Sequence, residues 1–429
     1  VLLLARNEKL EAMPKQFLRG IENLKALDLS KCRKLISLPR EIGNLTQLTH
    51  LYLDFCQNLE SLPEEMGKLT QLTRLHLNQC DCTALEELPQ TIGKLSRLKN
   101  LDVQGCLTLK ALPDSVGELV ELTQLNLSNC RRLERLPNTI GFLSKLKKLW
   151  LINCTKLKFL PTEFGKLQRL DEFWADATSL SRLPDSFSQL SNLEDLHLHK
   201  CDCTALEELP QTIGKLSRLK NLDVQGCLTL KALPDSVGEL VELTQLNLSN
   251  CRRLERLPDT IGLLSKLKKL WLINCTKLKF LPTEFGKLQR LDEFWADATS
   301  LSRLPDSFSQ LSNLEDLHLH KCEKIQELPS MKGLVKLKLF HMGHIGVQTL
   351  PEDFGHLQNL VDLHLYGCKN LQTLPQSFGW LQLQRLEMND NHELEMLPEG
   401  FGGLKSLVDL HIGNNSIQQG GLPSDFGGL

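Results

Sequence analysis

The chain has 429 residues, with 50 basic and 52 acidic side chains and a formal net charge of −2. This balance supplies no long-range field toward nucleic acid or an anionic membrane, and no run of about 18 apolar residues would span a bilayer. We therefore expect neither a nucleic-acid partner nor a membrane partner. Length alone suggests about three domains of roughly 150 residues each, but internal repetition replaces that estimate.

A phrase of about 24 residues recurs along the whole chain. Its first complete copy is marked by Leu24, Leu27, Leu29, Cys32, Leu35, Leu38, Pro39, Ile42 and Gly43. All 18 prolines fall at one place in the phrase, which indicates 18 repeats. This period and leucine spacing are typical of leucine-rich repeats, in which each unit buries its apolar edge against its neighbours. We predict one such domain over residues 1–429.

Each repeat is predicted to hold a short strand and an irregular return. The leucines of an LxL triplet, such as Leu125 and Leu127, alternate with an outward residue, as in a strand with one buried face. The Leu-Pro pair that follows disfavours helix, so the return is extended and then forms a 3₁₀ turn. The predicted fold class is an α/β solenoid, a horseshoe or superhelical arc with parallel strands on the concave face and short returns on the convex face. Val1 begins within a strand phrase and Leu429 ends within a return, so we expect a fragment of a longer protein.

Cysteine is the usual residue at the ninth position of the repeat. That position holds 12 of the 14 cysteines, namely Cys32, Cys56, Cys80, Cys106, Cys130, Cys154, Cys201, Cys227, Cys251, Cys275, Cys322 and Cys368. A small side chain that hydrogen-bonds to the backbone fits this position. Such a ladder of free thiols favours a reducing, cytoplasmic setting. Asn-x-Ser/Thr sequons, among them Asn153 and Asn274, would suit a secreted protein and leave that alternative open.

A block of five repeats is duplicated. Residues 80–200 and 201–321 are identical except that Asn138 becomes Asp259 and Phe142 becomes Leu263. A binding platform tolerates such lengthening, whereas a single fixed catalytic site seldom would. The duplication therefore predicts two nearly equivalent sites, unless it arose as an assembly or cloning artefact.

Motifs for catalysis and cofactor binding are absent from the sequence. We find no GxxxxGK[ST] phosphate loop, no GxSxG, no HExxH and no kinase loop, and we predict a protein that is not an enzyme and needs no cofactor. The segment HLHKCDC contains His197, His199, Cys201 and Cys203, which are zinc-ligand types. Their spacing matches no known zinc motif, so we predict no metal site.

The residue between the paired leucines points away from the core, because side chains alternate along a strand. That column reads Asp28, Tyr52, His76, Asp102, Asn126, Trp150, Trp174, His197, Asp223, Asn247, Trp271, Trp295, His318, Lys338, His364, Glu387 and His411. It holds four of the five tryptophans, in two adjacent pairs. Tryptophan is enriched at binding hot spots, although such pairs can also simply stack and stabilise the sheet. The predicted partner-binding residues are Tyr52, His76, Trp150, Trp174, His197, Trp271, Trp295, His318, His364 and His411.

The consensus sequence of the repeat resembles that of plant intracellular immune receptors that join a nucleotide-binding domain to a leucine-rich-repeat region. It stands here as LKNLDVQGCLTLKALPDSVGELVEL from Leu98 to Leu122 and as LVDLHLYGCKNLQTLPQSFGWL from Leu360 to Leu381. The resemblance implies a module that recognises a protein partner, such as a pathogen effector, and holds the receptor inactive. A similar wording occurs in plant cytosolic proteins related to Ras-binding scaffolds. A scaffold for a Ras-like GTPase or signalling partner and an extracellular receptor ectodomain therefore remain alternatives.

Overall fold

A computed structural model describes residues 1–78, 85–199, 206–418 and 420–429. The chain divides into two compact units, residues 1–219 and 220–429. We describe each unit by itself. In both units the predicted repeat of strand, turn and 3₁₀ return is confirmed, and the described residues contain no α-helix.

The first unit is a parallel sheet with one short strand per repeat. Its strands among the described residues are β1 Leu2–Leu3, β2 Ala26–Asp28, β3 His50–Tyr52, β4 Arg74–His76, β5 Asn100–Asp102, β6 Gln124–Asn126, β7 Lys148–Trp150, β8 Glu172–Trp174 and β9 Asp195–His197. Each strand pairs in parallel with the next in sequence, and core leucines stand opposite each other, as Leu27 does with Leu51. The 3₁₀ helices span Lys15–Leu18, Arg40–Asn44, Glu64–Lys68, Gln90–Lys94, Asp114–Glu118, Asn138–Phe142, Thr162–Lys166, Asp185–Gln189 and Ile213–Lys215.

The second unit repeats this plan. Its described strands are β10 Asn221–Asp223, β11 Gln245–Asn247, β12 Lys269–Trp271, β13 Glu293–Trp295, β14 Asp316–His318, β15 Leu339–His341, β16 Asp362–His364, β17 Arg385–Glu387 and β18 Asp409–His411. Its 3₁₀ helices span Asp235–Glu239, Asp259–Leu263, Thr283–Lys287, Asp306–Gln310, Phe354–His356, Gln376–Trp380, Phe401–Gly403 and Phe426–Gly428.

The core lies between the sheet and the returns. Repeat leucines such as Leu149 and Leu270 are 0% exposed, and phenylalanines replace them in some repeats. Phe354, Phe378 and Phe401 stack in parallel, with centroids 6.2 and 5.9 Å apart. Each repeat thus buries its apolar edge on its neighbours, as expected for a solenoid.

The cysteine ladder is confirmed as a set of buried hydrogen-bond donors. Cys154 Sγ donates to the carbonyl of Leu127 at 3.1 Å, and Cys275 Sγ does so to Leu248 at 3.1 Å. Ten cysteines in the described part of the chain are buried and free. Each such bond joins one repeat to the repeat before it, so the thiols help to set the stacking distance.

A glycine lies in most of the tight 3₁₀ returns, because neighbouring returns approach closely; Asp185–Gln189 and Asp306–Gln310 carry serine there instead. A Cβ on Gly67 would lie 2.7 Å from Thr91 Cβ and 2.9 Å from Thr91 O, which a real Cβ does not tolerate. The return helices are also short: within the described ranges, none has the length and apolar character needed to cross a membrane.

Candidate partner-binding surface

All ten predicted partner-binding residues lie on the outward face of the sheet, each at the last position of its strand. Nine are half-buried and His411 is exposed. The register gathers them into clusters: Tyr52 with His76, Trp150 with Trp174 and His197, and Trp271 with Trp295 and His318. His411 stands apart, opposite Glu387. Binding by these residues remains a prediction.

The Tyr52 cluster is a small aromatic contact. The rings of Tyr52 and His76 meet edge to face, with centroids 5.1 Å apart. Strands β5 and β6, which carry Asp102 and Asn126 in the same column, separate this contact from the tryptophans. The first unit therefore presents two separate aromatic clusters on its sheet.

The first tryptophan pair is held by one carboxylate. Trp150 Nε1 donates to Glu172 Oε1 at 2.6 Å, and Lys148 Nζ lies 2.7 Å from Glu172 Oε2. The Lys148 ammonium also lies 5.9 Å from the centroid of the Trp150 ring. Its hydrogen bond to Glu172 raises the pKa of Lys148 despite partial burial. These contacts fix the indole before any partner arrives, which reduces the entropy lost on binding.

Trp174 completes the pair but lacks a partner for its own indole. The two rings lie 6.1 Å apart, and the His197 ring lies 5.2 Å from Trp174. Among the described residues, the buried Trp174 Nε1 has no hydrogen-bond acceptor. An unsatisfied buried donor costs about 1 to 3 kcal/mol, so the second indole of this pair is less well satisfied than the first.

The second copy reproduces the first arrangement closely. Trp271 Nε1 donates to Glu293 Oε1 at 2.6 Å, and Lys269 Nζ lies 2.9 Å from Glu293 Oε2. The rings of Trp271 and Trp295 lie 5.8 Å apart. Here Trp295 Nε1 does find an acceptor, Asp316 Oδ2, at 3.3 Å. The two pairs therefore share one geometry on their first indole and differ in the hydrogen bonding of the second.

A recess of about 290 Å³ borders the second pair. Its lining residues are Gln225, Asn247, Ser249, Asn250, Trp271, Ile273 and Trp295. The amides are ordered, because Asn247 Nδ2 donates to Gln225 Oε1 at 3.0 Å and Asn247 Oδ1 accepts the Ser249 amide at 3.0 Å. Flat aromatic walls beside fixed amides offer both contact area and hydrogen-bonding groups to a polypeptide.

The predicted outward column is wrong at one position. Lys338 does not belong to it; the structure puts His341 there, opposite His318 and His364. Leu337 and Leu339 imitate an LxL pair, but the buried residues of that strand are Phe340 and Met342. For the same reason, Ile345 and not Met342 occupies the ninth position. A count of 23 residues from Leu317 to Phe340 would have found the register.

His318, His341 and His364 stand opposite one another on neighbouring strands and form a histidine row. Successive ring centroids lie 4.3 and 4.0 Å apart. The row continues directly from Trp295, whose ring lies 4.9 Å from His318. It is built by three neighbouring strands that carry histidine at the same register position, β14, β15 and β16.

A second aromatic group lies two or three residues after the histidines of this row. Tyr366 Oη is 3.4 Å from His320 Nδ1, and the Tyr366 ring lies 5.3 Å from His344. Gly343 lies beneath them, and a Cβ there would come within 2.9 Å of the Tyr366 ring. The sequence prediction missed this group because it considered only the residue between paired leucines.

Comparison with known proteins shows where this architecture recurs. The family model described as Leucine Rich Repeat matches residues 121–143 and 242–264. A leucine-rich-repeat protein of Leptospira interrogans is 29% identical over 94% of this chain and 93% of its own, with a TM-score of 0.68. The chain has the leucine-rich-repeat fold.

Other leucine-rich-repeat structures are more distant. The TLR13 chain of a TLR13–ssRNA13 complex is 22% identical over 91% of this chain and 58% of its own, with a TM-score of 0.60, a likeness of fold alone. The leucine-rich-repeat domain of the type III effector XopL is 28% identical over 59% of this chain and 79% of its own, with a TM-score of 0.45. No curated protein matches significantly. The leucine-rich-repeat fold, which this chain shares with the Leptospira protein, is the architecture of a protein-interaction module.

The charge states within the histidine row differ. Burial opposes protonation of His318, but its contacts with Asp297 and Asp316 prevail and raise its pKa to about 9. Burial, together with the charges of His318 and His364, lowers the pKa of His341 to about 4. At neutral pH this leucine-rich-repeat surface therefore sets a cationic imidazole against a neutral one.

The segment weighed as a zinc motif is only partly visible. His197 and His199 lie in and just after β9, whereas Cys201 and Cys203 fall outside the described residues. In the described ranges, no group of three or more His, Cys, Asp or Glu side chains is arranged to hold a metal ion.

Proposed function

We propose that this chain is the ligand-sensing and autoinhibitory leucine-rich-repeat region of a plant-type intracellular immune receptor, and that its tryptophan pairs contact a protein partner. One observation carries the site: four half-buried indoles lie on the outward sheet face, two by two. Partly exposed tryptophans in a preorganised setting are typical of binding hot spots. The repeat wording from Leu98 to Leu122 supports the receptor class.

The cysteine ladder supports an intracellular setting. Burial raises the pKa of the Cys154 thiol to about 12, and this thiol donates a hydrogen bond to the Leu127 carbonyl and is not half of a disulfide. The sequon asparagines Asn153 and Asn274 use their amide nitrogens to bond Asn129 and Asn250 of the preceding repeat, at 2.9 and 3.0 Å. A glycan at either position would attach to that same nitrogen and replace one of its two N–H groups.

The test compares partners captured in plant cells by the wild-type protein and by variants. One variant replaces Trp150 and Trp174 by alanine, a second replaces Trp271 and Trp295, and a third combines all four substitutions. The matched control is Trp380→Ala, because Trp380 is 58% exposed but lies on a 3₁₀ helix outside the sheet. Captured proteins are identified by mass spectrometry and their affinities measured with purified components.

We expect the combined variant to lose the partner, with an affinity decrease of at least about 30-fold, since hot-spot truncations cost about 2 kcal/mol or more. The control should bind as the wild type does. Equal binding by all variants would refute the site. A Ras-like GTPase, a secreted ligand or an RNA as the specific partner would instead support the scaffold, an ectodomain or a nucleic-acid receptor.

A further inference from the structure

A recurring tripeptide couples a carboxylate to a histidine on the sheet of the second unit. Asp-Leu-His forms strands β14, β16 and β18, and alternation puts the acid and the imidazole on the same face. His318 Nε2 lies 3.0 Å from Asp316 Oδ1, and His364 Nε2 lies 2.9 Å from Asp362 Oδ1. These two imidazoles of the histidine row therefore have a carboxylate on their own strand.

The same imidazoles also face a carboxylate on a neighbouring strand or turn. His318 Nδ1 lies 3.5 Å from Asp297 Oδ2, and His364 Nδ1 lies 3.1 Å from Glu387 Oε2. Both ring nitrogens of each histidine are thus directed at acids. At His318 the two acids outweigh burial and raise the pKa of the imidazole.

His341 is the exception. Strand β15 carries Leu339 where the other strands carry aspartate, so His341 has no carboxylate on its own strand. The titratable groups that face it come from the two flanking strands, Asp316 and His318 on β14 and Asp362 and His364 on β16. The ring is stacked between two imidazoles, and a charge on it would be repelled from both sides.

The surface around the row is acidic at neutral pH. Its four carboxylates are Asp297, Asp316, Asp362 and Glu387. The fixed cations are His318 and Arg385, whose Nη1 lies 3.7 Å from Asp362 Oδ2. Arg385 Nε also lies 3.5 Å from Asp409 Oδ2, so the carboxylates outnumber the fixed cations beside the half-buried rings of Trp295 and Tyr366. Acid next to exposed aromatic faces is the environment that a lysine or arginine side chain prefers.

We propose that this acidic surface around the histidine row binds a basic segment of a protein partner at neutral pH and releases it on acidification. The inference rests on the proposed function, since it names the chemistry of part of the same sheet face. His341 gains a proton as the pH falls toward 4, which adds a positive charge among the carboxylates of this surface. The attraction for a basic segment therefore weakens on acidification.

The acidic surface around the histidine row follows only the second copy of the duplicated block. Trp174 and His197 reproduce the contact of Trp295 and His318, with centroids 5.2 and 4.9 Å apart. His341 and His364, however, follow residue 321, and the first copy of the block is not followed by that sequence. We therefore expect the basic segment to bind in the second unit alone.

The experiment uses the full chain and a fluorescein-labelled peptide of alternating arginine and glycine, with a glutamate and glycine peptide as the opposite probe. Fluorescence anisotropy at constant ionic strength should show binding of the basic peptide at about pH 7.5 and at least about tenfold weaker binding at about pH 4, where His341 titrates. The acidic peptide should not bind at about pH 7.5. These measurements need only the wild-type protein.

Variants then locate the site. Asp316→Asn with Asp362→Asn should weaken binding at least about tenfold at neutral pH. The matched control is Asp195→Asn, the first-copy counterpart of Asp316, which should bind like the wild type. His341→Gln should bind normally at neutral pH and lose less affinity on acidification.

Equal binding of both peptides, binding that does not fall on acidification, or an equal loss in the Asp195→Asn control would each overturn the inference. The proposed function has a separate outcome. If the tryptophan variants lose the captured partner while the basic peptide never binds, the proposed function stands and the basic-segment inference fails. If the basic peptide binds but the tryptophan variants still capture the partner, the basic-segment inference stands and the tryptophan site of the proposed function fails.

Discussion

The indole of Trp150 donates to Glu172 Oε1 at 2.6 Å, and the Trp271 indole makes the same bond to Glu293 in the duplicated block. Each carboxylate also pairs with a lysine on the strand that carries the first indole. One acid therefore orients a tryptophan and neutralises its cationic neighbour, and the pattern survives duplication intact.

Glu172→Ala is expected to destabilise the sheet locally by about 1 to 2 kcal/mol, because it removes a charged acceptor from a half-buried indole and the partner of Lys148. Glu293→Ala should do the same in the second unit. Near-ultraviolet circular dichroism and amide hydrogen exchange around β7 and β12 would measure both. Unequal effects would show that the copies are not energetically equivalent. Unchanged exchange in both would mean that the acid does not hold the indole.

Buried ladder cysteines should resist alkylation in the native protein. Burial raises the pKa of Cys154 and Cys251 to about 12 and that of Cys322 to about 11. At about pH 8 few thiolates form, and the side chains are shielded from reagent. Mass-spectrometric mapping after iodoacetamide treatment should find these sites unmodified until denaturant is added. Rapid native labelling of Cys154 would contradict the buried ladder.

Much of this fold is predictable from the sequence because one phrase is repeated. The one proline of each repeat and the glycine of most returns constrain the backbone locally, and stacking repeats the constraint. The alternation of LxL likewise predicts which side of the sheet carries Trp150 and Trp174. These features depend on period and local sterics, which a single sequence contains.

The histidine row was not predictable by the same means. Lys338 between two leucines imitates the outward position, and the local LxL pattern alone does not show that Phe340 is the buried residue in register with Leu317. The roles of Glu172 and Asp316 also depend on neighbouring strands brought together by stacking. Side-chain rotamers across repeats, and the charges they produce, follow from packing that the repeat pattern does not specify.

The histidine row should make the stability of the second unit depend on pH in two windows. The pKa of His341 is depressed to about 4, so its contribution is present above the unfolded value of about 6.5 and is lost as pH falls toward 4. The pKa of His318 is raised to about 9, so its contribution is complete below about 6.5 and is lost as pH rises through 9.

Leu339→Asp tests the first window, because it gives β15 the carboxylate that β14 and β16 already carry. The thermal midpoint of the variant should fall less between about pH 6.5 and about pH 4 than that of the wild type. Nuclear magnetic resonance titration of His341 should show its pKa raised. A steeper acid loss in the variant would mean that desolvation of the new carboxylate prevails.

Core truncation should damage the solenoid locally and equally in the two copies. Leu149 and Leu270 are both 0% exposed at matched positions of the duplicated block, and replacing either by alanine should cost about 2 to 5 kcal/mol through the cavity left behind. Because each repeat contacts only its neighbours, hydrogen exchange should rise in the altered repeat and the next ones, while distant repeats stay protected. Exchange that rises throughout the chain after Leu149→Ala would instead show that the repeats unfold as one cooperative body.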